Sequence, residues 1–151
     1  MNKYMKLAIK EAYLGITSGH GGPFGSVIVK DGKVISKGHN QVLLNNDPTC
    51  HGEIQAIRKA SKKLKKFDLS GCEIYTTAEP CPMCLGAIMW SNISKVYYGC
   101  NILDTEKIGF RDNKFYNLTK KDKKSFLKEL DRESCLKLFD EYLKIDNKEE
   151  Y

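Results

Sequence analysis

The spacing of apolar residues changes along the chain, and each change marks an element. In residues 3–18, Met5, Leu7, Ala8, Ala12 and Leu14 recur close to helical spacing, and the run breaks at Gly15 and "SGHGGP". "FGSVIVKDGKVISKGHN" then holds two β-rich runs around an Asp-Gly pair, a strong hairpin signal. The polar stretch "QVLLNNDPT" leads into a helix from near His51 to about Lys66. "CEIYTTA" at 72–78 reads as a strand, "EPCPMCLGAIMWS" as a loop entering a second helix, and "SKVYYGC" at 94–100 as another short strand. Past Gly109 the signal weakens, and "KKSFLKELDRESCLKLFDEYLK" suits two helices or a strand and a helix. With no internal repeat and no dividing linker, a single domain over residues 1–151 is expected.

Helix, hairpin, helix, strand, helix, strand is an order that predicts an α/β fold, a mixed sheet flanked by helices. The 151 residues are enough to bury a core, and 41% hydrophobic with 29% charged residues is ordinary for a soluble globular protein. No apolar run approaches the roughly 18 residues that would span a membrane. "MNKYMKLAIKEAYLG" is amphipathic and not signal-like, so a cytoplasmic location is expected.

The net charge of +6 changes this picture little, because it comes almost wholly from lysine. "KKLKK" at 62–66 and "KKDKK" at 120–124 read as solvated helix faces, and the only arginines are Arg58, Arg111 and Arg132. Guanidinium forks dominate specific phosphate and base recognition, so nucleic acid is the less favoured partner.

Cysteine usage changes it more. Six occur, at 50, 72, 81, 84, 100 and 135. Nothing addresses the chain to an oxidising compartment, so reduced thiols and the tight pair Cys81 and Cys84 favour metal or redox chemistry. "PCPMC" places that pair at a helix start, where free amides and the helix dipole stabilise thiolates. Alone, a CxxC is ambiguous between zinc, redox and chance, and a redox pair is expected just after a first strand, which is not the order here. His51 also stands at a helix start. Two converging helix N-termini would present one imidazole and two thiolates, a three-ligand zinc site with its fourth position open.

Glu53 lies two residues after His51, and Pro80-Cys81-x-x-Cys84 follows it. The composite H-x-E…P-C-x-x-C resembles the zinc nucleobase deaminases. That resemblance implies one zinc per chain held by His51, Cys81 and Cys84, with Glu53 kept off the metal as proton carrier. Zinc lowers the pKa of a bound water from about 15.7 to around 7, and a nearby carboxylate moves the protons. As a plain structural residue, Glu53 would be a first-turn carboxylate favoured by the dipole.

The resemblance runs over nearly the whole chain, most closely residues 20–112, and within the superfamily is strongest to bacterial guanine deaminases. It implies a three-layer α/β/α cytidine-deaminase-like fold with about five strands, and hydrolysis of guanine to xanthine and ammonia. It also implies site roles. Phe24 in "GGPFGSVIVKDG", Asn40 in "GHN" and Trp90 in "CLGAIMW" match residues of the base pocket. Asp112 in "IGFRD" matches an acidic residue that assists the leaving amine. Tyr151, ending "KEEY", matches a C-terminal tail, here about residues 140–151, that swaps between the subunits of a homodimer and closes the partner's pocket. Each has a plainer reading: Phe24 and Trp90 as core, Asn40 as a turn residue, Asp112 as a loop carboxylate, Tyr151 as a frayed terminus.

The family usually reads H-A-E, and Gly52 stands at the alanine here. H-G-E also occurs in fungal-type cytosine deaminases, and glycine leaves its amide available to a substrate. Cytosine deamination is therefore one rival, and a transfer-RNA adenosine deaminase, which shares "DPT", is another. A third is a purely structural zinc site, with Cys50 as fourth ligand.

Overall fold

The computed structural model describes residues 1–150 and divides into two compact units, Met1–Tyr116 and the segment from Asn117 onward. In the first, Asn2 caps α1 (Lys3–Thr17) by accepting from the Tyr4 and Met5 amides. The hairpin forms as its sequence predicts: β1 (Gly25–Lys30) and β2 (Lys33–His39) are joined by Asp31 and Gly32. Both turn residues have positive φ, 48° and 74°, as a primed two-residue turn requires.

A single turn, α2 (Val42–Asn45), occupies part of the polar stretch that the sequence leaves as a loop. Then come α3 (Gly52–Leu64), β3 (Cys72–Ala78), α4 (Pro82–Trp90) and β4 (Lys95–Cys100). Two short helices, α5 (Ile102–Lys107) and α6 (Asp112–Tyr116), complete the unit.

The strands lie in the order β2-β1-β3-β4, with β1 antiparallel to both neighbours and β3 parallel to β4. Four strands are present among the described residues, not about five. After β4 there is no period-2 alternation to build a fifth. Reciprocal caps start helices instead, Asn101 with Asp104 and Thr119 with Asp122.

Alternation along β1 and β3 divides the core into two layers. Ile28 and Ile74, paired across the two strands, face Ala56 and Ala60 of α3 and Ile88 of α4. Val27, Val29 and Tyr75 point the other way, onto Ala8 of α1. The mixed sheet is thus sandwiched between α1 and the α3–α4 pair, the α/β/α arrangement that the resemblance implies.

Backbone contact between helix and sheet is close at two glycines. A Cβ on Gly25 would lie 2.1 Å from the Ala8 carbonyl oxygen, and one on Gly38 would lie 2.7 Å from both the Gly52 oxygen and the Ala56 nitrogen. The second contact seats α3 against β2, and so fixes where the helix begins.

The second unit holds α7 (Lys120–Phe126) and α8 (Arg132–Leu143), so the ambiguous stretch resolves to two helices. It has no buried side chain among the described residues, and Phe126, Leu130 and Leu143 are largely exposed.

Gly38→Ala should destabilise the protein by about 1–3 kcal/mol, because backbone must shift to admit the methyl group. Urea unfolding reads this as a lower midpoint; an unchanged midpoint would show that α3 does not depend on the contact.

Candidate metal centre and active site

The site lies where β3 and β4 end and β1 begins. α3 and α4 both start there, with His51 and Cys81 as their N-cap residues. An N-cap side chain ordinarily turns back to accept from the helix's own amides. Neither of these does so, and both have extended backbone, ψ 158° and 167°, which directs the side chains away from their helices. Pro82 at the first turn of α4 loses no hydrogen bond there. Cys84, one turn on, lies on the same side as Cys81.

The ligand atoms of His51, Cys81 and Cys84 all fall within 4.8 Å of one another. His51 Nδ1 is 3.6 Å from Cys81 Sγ and 3.5 Å from Cys84 Sγ. Zn–S and Zn–N bonds at a tetrahedral angle require an N···S edge of roughly 3.6 Å, so the donor set fits zinc. Cys50 is not a fourth donor. Its buried thiol accepts from Asn45 Nδ2 at 3.5 Å and Arg58 Nη1 at 3.8 Å and contacts the Asp47 carboxyl.

The electrostatics suit metal binding. Cys81 is brought down to about 4, chiefly because the Cys84 thiol donates to it, with His51 and the Cys84 amide adding to the effect. As that donor, in a buried position and beside Glu53, Cys84 is pushed up. The hydrogen bond to Cys81 raises His51. Glu53, 5% exposed, is held well above the usual carboxylate range by burial. It is a buried carboxyl beside the metal donors, in reach of Cys84 but outside the three-residue cluster.

A cavity of about 670 Å³ opens over this group. Phe24, Asn40, Glu53 and Asp112 line it, as do His51 and Cys81. Phe24 meets Phe110 edge to face, with centroids 4.7 Å apart. Asn40 is buried and accepts from the Val42 amide at 3.1 Å. Burial, together with the nearby Cys81 thiolate as the lesser cause, raises Asp112.

Trp90 and Gly52 are not among the residues that line the cavity. Trp90 is 67% exposed at the end of α4 and outside the cavity wall. Six residues carry a side chain roughly 240° around a helix, so Trp90 lies on a different face of α4 from Cys84. Gly52 faces the sheet: a Cβ there would lie 3.0 Å from the Phe24 carbonyl oxygen. Its smallness serves this packing, between the lining residues His51 and Glu53. Tyr151 lies outside the described residues.

Sequence reasoning missed Glu79, Phe110, Arg111 and Phe115, which also line the cavity. The Glu79 carboxylate accepts from the Ile102 amide at 2.9 Å, tying together the turns after β3 and β4. The other three flank Asp112 in sequence, the one available signal. Tyr116 Oη donates to the Pro80 carbonyl, joining α6 to the turn that carries the cysteines.

An imidazole and two thiols poised for zinc, with a buried carboxyl beside them in a cavity wall, are the parts a zinc-dependent deaminase needs. Residues 1–100 match the family described as the cytidine and deoxycytidylate deaminase zinc-binding region. The chain belongs to this family. It is 49% identical to guanine deaminase of Bacillus subtilis over 113 residues, 75% of this chain and 72% of that protein. It is also 36% identical to a transfer-RNA-specific adenosine deaminase of Buchnera aphidicola, covering 93% of this chain and 92% of the relative. The X-ray structure of the Bacillus subtilis guanine deaminase superposes on 100% of this chain and 99% of its own, with a TM-score of 0.91 and 40% identity. A structure from a study of transfer-RNA wobble-position deaminases superposes on 65% of this chain and 75% of its own, with a TM-score of 0.63 and 40% identity.

Cys81→Ala should reduce bound zinc from one per chain to a small fraction, since two donors remain. Cys50→Ala should leave zinc content unchanged. Metal analysis of the purified proteins checks both, and zinc loss on changing Cys50 would overturn the three-donor assignment.

Proposed function

We propose that the protein is a guanine deaminase, converting guanine and water to xanthine and ammonia in purine breakdown in the cytoplasm. The observation that carries this reading is the match to the Bacillus subtilis guanine deaminase structure, with a TM-score of 0.91. The cavity adds support, for its size lies within the range of small-molecule sites and its walls are mostly apolar or aromatic.

His51, Cys81 and Cys84 hold the metal, which when bound supplies a water acidified to near neutrality. Phe24, braced by Phe110, packs against one face of the base, and Asn40 hydrogen-bonds its edge. The water oxygen bonds to C2 of the ring. Glu53 takes the water's proton and delivers it to ring N3. Its raised affinity for protons suits this exchange. Glu53, with Asp112, then takes the remaining hydroxyl proton from C2 and passes it to the exocyclic amine, and the C2–N bond breaks to release ammonia as the C2 carbonyl forms. One neutral imidazole and two thiolates bring the zinc centre close to zero net charge, which suits an uncharged heterocycle.

The enzyme acts as a homodimer in which residues from about 140 to 151 exchange, so that Tyr151 closes the pocket of the partner subunit. The apolar side chains that the second unit exposes, Leu138, Phe139 and Leu143 among them, support this assembly. Light scattering should read two chains per particle, and a monomer would refute it.

The transfer-RNA reading retains one supporting observation, the Buchnera relative that covers almost the whole chain. Zinc-loaded protein offered guanine, cytosine and an anticodon stem-loop should release ammonia only from guanine. Faster release from cytosine or the stem-loop would replace the proposal. Glu53→Gln should keep its zinc and lose turnover by about 10²-fold or more, and full activity would refute the proton-carrier role.

A further inference from the structure

A partly buried polar chain lies apart from the metal centre. Glu11 of α1 approaches His39 at the end of β2, with 3.1 Å between Oε2 and Nδ1. Nε2 of His39 is 2.9 Å from His20 Nδ1, and the two rings stack with centroids 5.2 Å apart. The other Glu11 oxygen pairs with Lys37 at 3.2 Å. His39 is 5% exposed, and its seat is shaped by Gly15, where a Cβ would lie 2.9 Å from the ring.

The chemistry fixes the direction of this chain. An ionised carboxylate only accepts, so His39 carries its proton on Nδ1. With His39 neutral, its Nε2 offers a lone pair, and His20 donates to it from its own Nδ1. The same logic orients an imidazole in catalytic triads, but here the chain leads to no nucleophile.

It leads to the cavity wall. His20 precedes Gly21 and Gly22, and His39 precedes Asn40; all three are lining residues. The His20 carbonyl also accepts from the Leu43 and Leu44 amides at 3.0 and 3.1 Å, and Leu43 lines the cavity too. A Cβ on Gly21 would collide with Asn40 Oδ1, so the loop rests directly on the amide side chain. The His20–His39 contact therefore ties together the stretches of chain on either side of Asn40.

We propose that Glu11, His39 and His20 form a positioning chain that holds the Asn40 side of the cavity in its substrate-binding shape, so that His20 and His39 set affinity for the base without entering the chemistry. This rests on the deaminase reading of the cavity. Metal donors and Glu53 stand on other elements, so disruption should appear in KM and spare kcat.

The test compares His20→Ala, His39→Gln and His39→Leu, each first checked for zinc content and circular dichroism. A glutamine amide can donate toward Glu11 and accept from His20, whereas leucine can do neither. His20→Ala, which changes only a half-buried loop side chain, should raise KM about fivefold or more with kcat within about twofold. His39→Leu should do the same, and His39→Gln should restore KM to near the wild-type value. Heteronuclear NMR of labelled imidazoles, independent of any substrate, should show both His20 and His39 as Nδ1–H tautomers. An unchanged KM in His20→Ala, equal KM for the glutamine and leucine variants, or an Nε2–H tautomer at His39 would overturn the proposal. KM is measured on whichever base the wild-type enzyme deaminates. A wild type inactive on guanine thus removes the guanine assignment, while the tautomers and variants still judge the positioning chain.

Discussion

The active site depends on two helices beginning at one point with neither spending its N-cap side chain on itself. An N-cap residue sits at the edge of a field of unpaired amides, where a serine or aspartate would ordinarily satisfy two of them. Here the positions go to His51 and Cys81, and extended backbone turns both side chains outward. The rest of the fold serves this convergence. Glycine at 38 lets α3 approach β2, Ile88 seats α4 in the core shared with α3, and Tyr116 holds the Pro80 turn from α6. The helix dipoles favour the thiolate form that binds a cation.

Glu53 owes its place to the same geometry. Two residues into α3, it is carried inward by helical rotation while His51 remains at the rim, so a carboxyl is buried beside the metal donors without becoming one of them. A buried carboxyl normally weakens a fold unless it is paired. Here burial raises its proton affinity toward the range in which it can both take and give a proton. The cost to stability and the capacity for catalysis have one origin.

What was legible in the sequence divides along physical lines. Apart from the single turn α2, elements of the first unit up to β4 were readable because their patterns are local: an Asp-Gly between β-rich runs, and helical spacing on either side. Cys81 and Cys84 were readable because a CxxC at a helix start brings two thiols onto one turn, and His51 because it stands in the composite H-x-E…P-C-x-x-C. The cavity wall was not. Phe110, Arg111 and Phe115 lie where periodicity has faded, and Glu79 acts through a contact to Ile102 that only the folded sheet creates. Trp90 and Gly52 are not in the cavity wall: Trp90 is exposed at the end of α4, and the Cα of Gly52 packs against the sheet. The expected fifth strand came from the resemblance and not from any alternation in the chain, and the residues after β4 form helices instead.

Cys50 shows why the site is suited to reaction and not to structure alone. It adjoins His51 in sequence and carries a thiol, so a closed four-donor zinc site lies one residue away. Extended backbone at His51 sends consecutive side chains to opposite sides, and Cys50 is occupied there by Asp47, Asn45 and Arg58. That group fixes the turn before α3 and so helps place His51. It also withholds the fourth protein donor, leaving three where a structural zinc would take four. The neighbouring thiol is thus spent on holding the ligand's turn in place. Coordination stays incomplete on the protein's side, with Glu53 and the cavity beside it, and that incompleteness is what permits a water to share the metal.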